Sequence, residues 1–133
     1  MPAYPGSNLA TLLLNNRQGY FWDNETVPAG QYPGSLSVAY QLQRINQSFY
    51  PWGAAFELTF SGSPGTFEVD IVGANTDNPQ NYIQLGKITA VTSYVSGYYT
   101  GRWDMPSNIW VKYVAAYMAS LTNPVSVTLQ VTR

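Results

Sequence analysis

Val125-Ser126-Val127-Thr128-Leu129-Gln130-Val131-Thr132 alternates apolar and polar residues without a break. Successive side chains of a β-strand point to opposite faces, so this segment predicts a strand with one buried face and one wet face. The wet face carries hydroxyls and an amide, and no ionisable group precedes Arg133. The same rhythm recurs upstream. Leu36, Val38, Tyr40 and Leu42 alternate with Ser37, Ala39, Gln41 and Gln43. Phe56, Leu58 and Phe60 flank Glu57 and Thr59, and Phe67, Val69 and Ile71 flank Glu68 and Asp70.

The run 109–119 is apolar throughout, but β-branched and aromatic residues dominate it, which favours strand over helix. Its faces would be Trp110, Lys112, Val114, Ala116 and Met118 against Ile109, Val111, Tyr113, Ala115 and Tyr117. Two shorter strands are expected around Gly86, over 82–85 and 88–94. Ser61-Gly62-Ser63-Pro64-Gly65 has the length and composition of a hairpin loop. Residues 15–32, 46–53, 74–81 and 96–108 are expected to be irregular or turn-rich. The outcome is an all-β chain: a single-domain antiparallel β-sandwich over 16–133, jelly-roll or immunoglobulin-like, with about seven or eight strands. Residues 1–15, punctuated by Pro2, Pro5 and Gly6, are expected to form an extended N-terminal arm.

Composition narrows the function. The chain has 133 residues, 45% apolar and 15% aromatic, enough for one packed core. Arg17, Arg44, Lys87, Arg102, Lys112 and Arg133 are scattered singly and the net charge is −1, so no basic stripe exists for nucleic acid or anionic lipid. A surface this close to neutral repels its own copies weakly and suits a subunit of an assembly. With no cysteine and no histidine, disulfides, thiolate sites and the usual bases for a nucleophilic hydroxyl are missing. The apolar cluster 9–14 is too short for a signal-peptide core or a membrane span.

From Gly65 onward the order of features resembles small β-sandwich structural proteins of tailed bacteriophages. The carrying stretches are Gly-Thr-Phe-Glu-Val-Asp-Ile-Val-Gly-Ala-Asn (65–75), Asn-Tyr-Ile-Gln-Leu-Gly-Lys-Ile-Thr (81–89) and Lys-Tyr-Val-Ala-Ala-Tyr-Met-Ala-Ser-Leu-Thr (112–122), followed by the final alternating strand. Ala115 stands where such sequences often carry Arg after Tyr-Val. The likeness implies a virion subunit, in a capsid decoration or cement role or in the tail or baseplate, with the major capsid protein or other virion proteins as partners.

Chemistry is thinly represented. Glu68 and Asp70 share one strand face roughly 7 Å apart, in positions where solvated acids are expected. Asn75-Thr76-Asp77-Asn78 is rich in oxygen ligands but lacks the spaced acids of a calcium loop, and its residues are ordinary turn formers. No cofactor, metal or catalytic set is therefore expected. The aromatics of the expected loops are the better candidates: Phe49, Tyr50 and Trp52; Tyr98, Tyr99 and Trp103; Tyr20, Phe21 and Trp22. Such rings cap a core, anchor a protein interface or stack on sugars. The expected interface is Trp52, Tyr98, Tyr99 and Trp103 with Tyr4 and Leu9 from the arm, in a homo-oligomeric, non-enzymatic subunit. The rival is a carbohydrate-binding module with Trp22, Trp52 or Trp103 as platform.

Overall fold

The computed structural model describes residues 18–27, 29, 43–45, 53–76 and 81–132. The expected strand at 36–42, the arm, and the candidates Tyr4, Leu9 and Trp52 lie outside them. Nine strands occur among the described residues: β1 (Gln18–Glu25), β2 (Gln43–Ile45), β3 (Ala54–Phe60), β4 (Phe67–Ala74), β5 (Ile83–Ile88), β6 (Ser93–Val95), β7 (Tyr98–Met105), β8 (Tyr113–Leu121) and β9 (Val127–Thr132). They form two antiparallel sheets, in the orders β1-β9-β3-β7-β6 and β2-β8-β4-β5. The all-β sandwich follows directly, and the run expected as strand over 109–119 is strand, not helix, from Tyr113 onward, with 109–112 preceding β8.

Period-two patterning builds the core. In the five-stranded sheet, Val127, Leu129 and Val131 of β9 lie opposite Phe60, Leu58 and Phe56 of β3, and all six are fully buried. Val69 and Ile71 of β4 and Val114, Ala116 and Met118 of β8 supply the facing layer. Each large side chain so buried contributes roughly 1.5–3 kcal/mol of transfer free energy. Phe60 and Phe67 meet edge-on across the sheets at 4.8 Å between centroids.

Four expectations about local structure are corrected. Ser61–Gly65 is not a hairpin loop, because β3 and β4 belong to different sheets. It is an arch, laced to the second crossing at 122–126 by Ser61 N–H to Ser126 O, Asn123 N–H to Pro64 O and the Asn123 amide to Ser63 O. Residues 18–25 are strand, not irregular chain. A register shift between Tyr20 and Trp22 lets the consecutive Phe21 and Trp22 both turn into the core, which breaks the alternation. Residues 98–105 are strand β7, not a turn-rich segment, and one strand runs through Gly86 where two were expected.

Both misplaced glycines are notches. A Cβ on Gly86 would sit 2.1–2.5 Å from atoms of the Trp103 indole, and one on Gly101 would sit 2.8 Å from Ile88 Cγ2 and Ala90 O. Edge strand β5 therefore rests directly on β7 of the other sheet. Gly86→Ala is expected to destabilise the protein by about 1–3 kcal/mol, through overpacking against Trp103. Urea denaturation checks this, and an unchanged midpoint would contradict the notch.

Candidate functional site

β6 and β7 form a hairpin whose two-residue turn, Ser96-Gly97, has positive φ at both positions, 53° and 85°. Such turns match the right-handed twist of paired strands. Tyr94 lies opposite Tyr99, and Val95 opposite Tyr98. Tyr99 is cross-strand from the buried Phe60, so the Tyr94–Tyr99 pair faces inward, its rings in tilted contact with centroids 4.6 Å apart. β5 covers β7 but is the last strand of its sheet, so β6 overhangs. Tyr94 is consequently 60% exposed although it points to the core side. On the outer face Val95 and Tyr98 are 62% and 54% exposed. No charged residue occurs between Lys87 and Arg102.

Behind this hairpin the outer face of the five-stranded sheet is polar. Cross-strand register aligns Thr128, Thr59, Thr100 and Ser93 in one row, and Tyr20, Gln130, Glu57 and Arg102 in the next. The ion pair on this face, Arg102 Nε to Asp104 Oδ1 at 2.8 Å, is well exposed and contributes little to stability.

Of the expected interface residues, the structure brings Tyr98 and Tyr99 to this hairpin, on strand rather than loop. Trp103 is different. Its ring packs on Phe56 at 5.5 Å and over Gly86, half-buried as part of the core wall. Trp22 is fully buried and offers no sugar platform. Tyr94 and Val95 were not singled out by the sequence. The signal was present in the Ser-Gly turn between two short apolar runs and in the uncharged stretch around it.

A second feature lies on the outer face of the four-stranded sheet. Asp70 of β4 stands between Tyr117 of β8 and Lys87 of β5. It is 5% exposed, where a solvated acid was expected. The reason is that β4 is buried on both faces: Val72, Ala74, Tyr82, Ala115 and Tyr117 form a second apolar cluster there. Burial first, then a hydrogen bond to Glu68 and that residue's charge, pushes the Asp70 carboxyl up to about 6; the Tyr117 hydroxyl, which donates to it, and Lys87 oppose the rise. Asp70 Oδ1 has no hydrogen-bond partner among the described residues.

Among the described residues no group of three His, Cys, Asp or Glu side chains could hold a metal ion. Asn75 Oδ1 accepts from the Lys112 N–H, and Thr76 Oγ1 accepts from the Asn81 amide, so both serve the loop itself. Asp77 and Asn78 lie outside the described residues. A pocket of about 200 Å³ between Thr26, Val27, Ala29, Leu121, Thr122 and Pro124 has no ionisable lining group.

No protein-family model matches the chain, and no curated protein matches it. Two solved structures are similar to it, the K3 and K1 cleaved adhesin domains of Lys-gingipain from Porphyromonas gingivalis W83. Each is 14% identical with a TM-score of 0.43; the first aligns over 87% of this chain and 73% of its own, the second over 86% and 70%. Similarity at that level transfers no function.

The Asp70 arrangement has a signed consequence. With the folded pKa near 6 and the ordinary value at 3.8, the folded protein holds a proton that the unfolded chain has released. The stabilisation is complete below the unfolded value near 4 and is lost as pH rises through 6, by on the order of 3 kcal/mol over the whole window. Asp70→Asn is expected to flatten this part of the stability curve. Denaturation midpoints at pH 4.5 and 7 check it; an identical pH slope in the variant would contradict it.

Proposed function

We propose that the chain is a non-enzymatic structural subunit of a tailed-phage virion, placed on the capsid as a decoration or cement protein and acting through protein–protein contacts. One observation carries the contact reading: Tyr94, Val95 and Tyr98 stand exposed together on an overhanging hairpin without a charge. Exposed apolar groups rimmed by hydroxyls favour a protein partner, since aromatic anchors inside a polar rim supply most of the energy of such interfaces. The virion setting is supported by the sequence stretches after Gly65 that resemble phage β-sandwich proteins. The tail or baseplate is the other location within that setting.

Mechanistically, the capsid is held by many weak, repeated contacts. A near-neutral subunit adds little repulsion when copies crowd on a lattice, and symmetric repetition sums small energies into a stable shell. The major capsid protein is the proposed partner, and the subunit works as a homo-oligomer.

Co-sedimentation of purified protein with expanded phage capsids tests this. Binding is expected, and Tyr98→Ser is expected to weaken it about tenfold, the effect of losing roughly 1.4 kcal/mol at an anchor. No binding, with the protein also missing from purified particles, would end the reading.

A further inference from the structure

We infer that β6 is a self-pairing edge: two copies of the chain join antiparallel through Ser93–Val95 about a two-fold axis at Tyr94, making one continuous ten-stranded sheet. The starting point is a comparison of the four edge strands. β1 carries Asp23 and Glu25, a residue at positive φ (Asn24) and two register shifts against β9. β5 carries Lys87 and a register shift against β4. β2 has Arg44 among its three residues. Charges and irregularities of this kind are how proteins stop edges from pairing. β6 has none of them: its sequence is Ser-Tyr-Val, its ladder with β7 is regular, and all three residues are exposed.

Backbone geometry allows the pairing. In a hairpin closed by a two-residue turn, Val95 and Tyr98 form the hydrogen-bonded pair, so alternation directs the N–H and C=O of Tyr94 away from β7, to the open side. Those two groups are what a second strand needs.

The occupant is a second copy because the patch complements itself. A two-fold axis sets each group near its own image, which repels wherever a charge is present. Between Lys87 and Arg102 there is no charge to repel. Pairing at Tyr94 also lines up Tyr99, Tyr94 and their symmetry mates in a row of four rings on one face, with Val95 opposite the partner's Ser93. Three residues limit the contact to a small one, suited to a lattice where it is repeated.

This inference rests on the assembly reading above, but purified protein alone tests it, so its failure leaves capsid binding through other surfaces standing. The chain has no cysteine, so Tyr94→Cys introduces a single thiol. In the proposed pair the two Cα atoms at position 94 are roughly 5.5 Å apart, within disulfide range. Under mild oxidant, Tyr94→Cys is expected to form disulfide dimers several-fold faster than Ser107→Cys, an exposed control outside the hairpin. In sedimentation equilibrium, Val95→Lys is expected to weaken self-association about tenfold. Equal cross-linking rates for the two thiols, or self-association unchanged by Val95→Lys, would overturn the proposal.

Discussion

The close seating of β5 on β7 governs the rest of the molecule. Two sheets in a sandwich ordinarily stand about 10 Å apart, with side chains filling the gap. Here the gap narrows at one side because Gly86 receives the Trp103 indole and Gly101 receives Ile88. The core is thereby closed by one large ring over a bare backbone. Since β5 ends its sheet at that point, β6 has no strand of the other sheet facing it among the described residues, and the inward Tyr94 ring rests on Tyr99, which itself packs against the core. One packing decision both seals the core and creates the overhang.

The two faces of the molecule divide the labour. On the four-stranded sheet, β4 is covered on both sides, and burial raises the carboxyl of Asp70, which the strand carries into that cover. On the five-stranded sheet, the outer face keeps its hydroxyl rows in solvent and its exposed apolar groups collect at the β6–β7 edge. That segregation is consistent with a subunit that meets other proteins through an edge. Neutral hydroxyl rows set no electrostatic preference for a partner, so in the proposed pairing recognition would fall to the rings and the open backbone groups.

How far the sequence could be read follows from these same constraints. β9 was legible because one of its faces is core and the other is wet, and β3 likewise. β4 was half legible: its apolar positions were found, but Val69-Asp70-Ile71-Val72-Gly73-Ala74 is apolar on both parities apart from Asp70, which is the mark of a strand covered twice. β1 hid behind its bulges, which set Phe21 beside Trp22 in the core. β7 reads as turn-rich in the sequence because Gly97 and Gly101 punctuate it, and β5 reads as two strands divided at Gly86. A glycine that makes a turn and a glycine that admits a ring from the opposite sheet look alike in sequence; only the second sheet tells them apart. The arch at Ser61–Gly65 was hidden for the same reason, since turn residues do not record which sheet the next strand joins.

Residue-resolved amide hydrogen exchange at two protein concentrations tests the central claim, that β5 on β7 closes the core and leaves β6 open. The amides of β3, β7 and β9 are expected to exchange only through global unfolding, with β5 nearly as slow. The Tyr94 amide is expected to exchange freely in dilute solution and to slow as concentration rises. Protection of Tyr94 equal to that of β7 in dilute solution, or exchange of β5 as fast as a frayed edge, would contradict it.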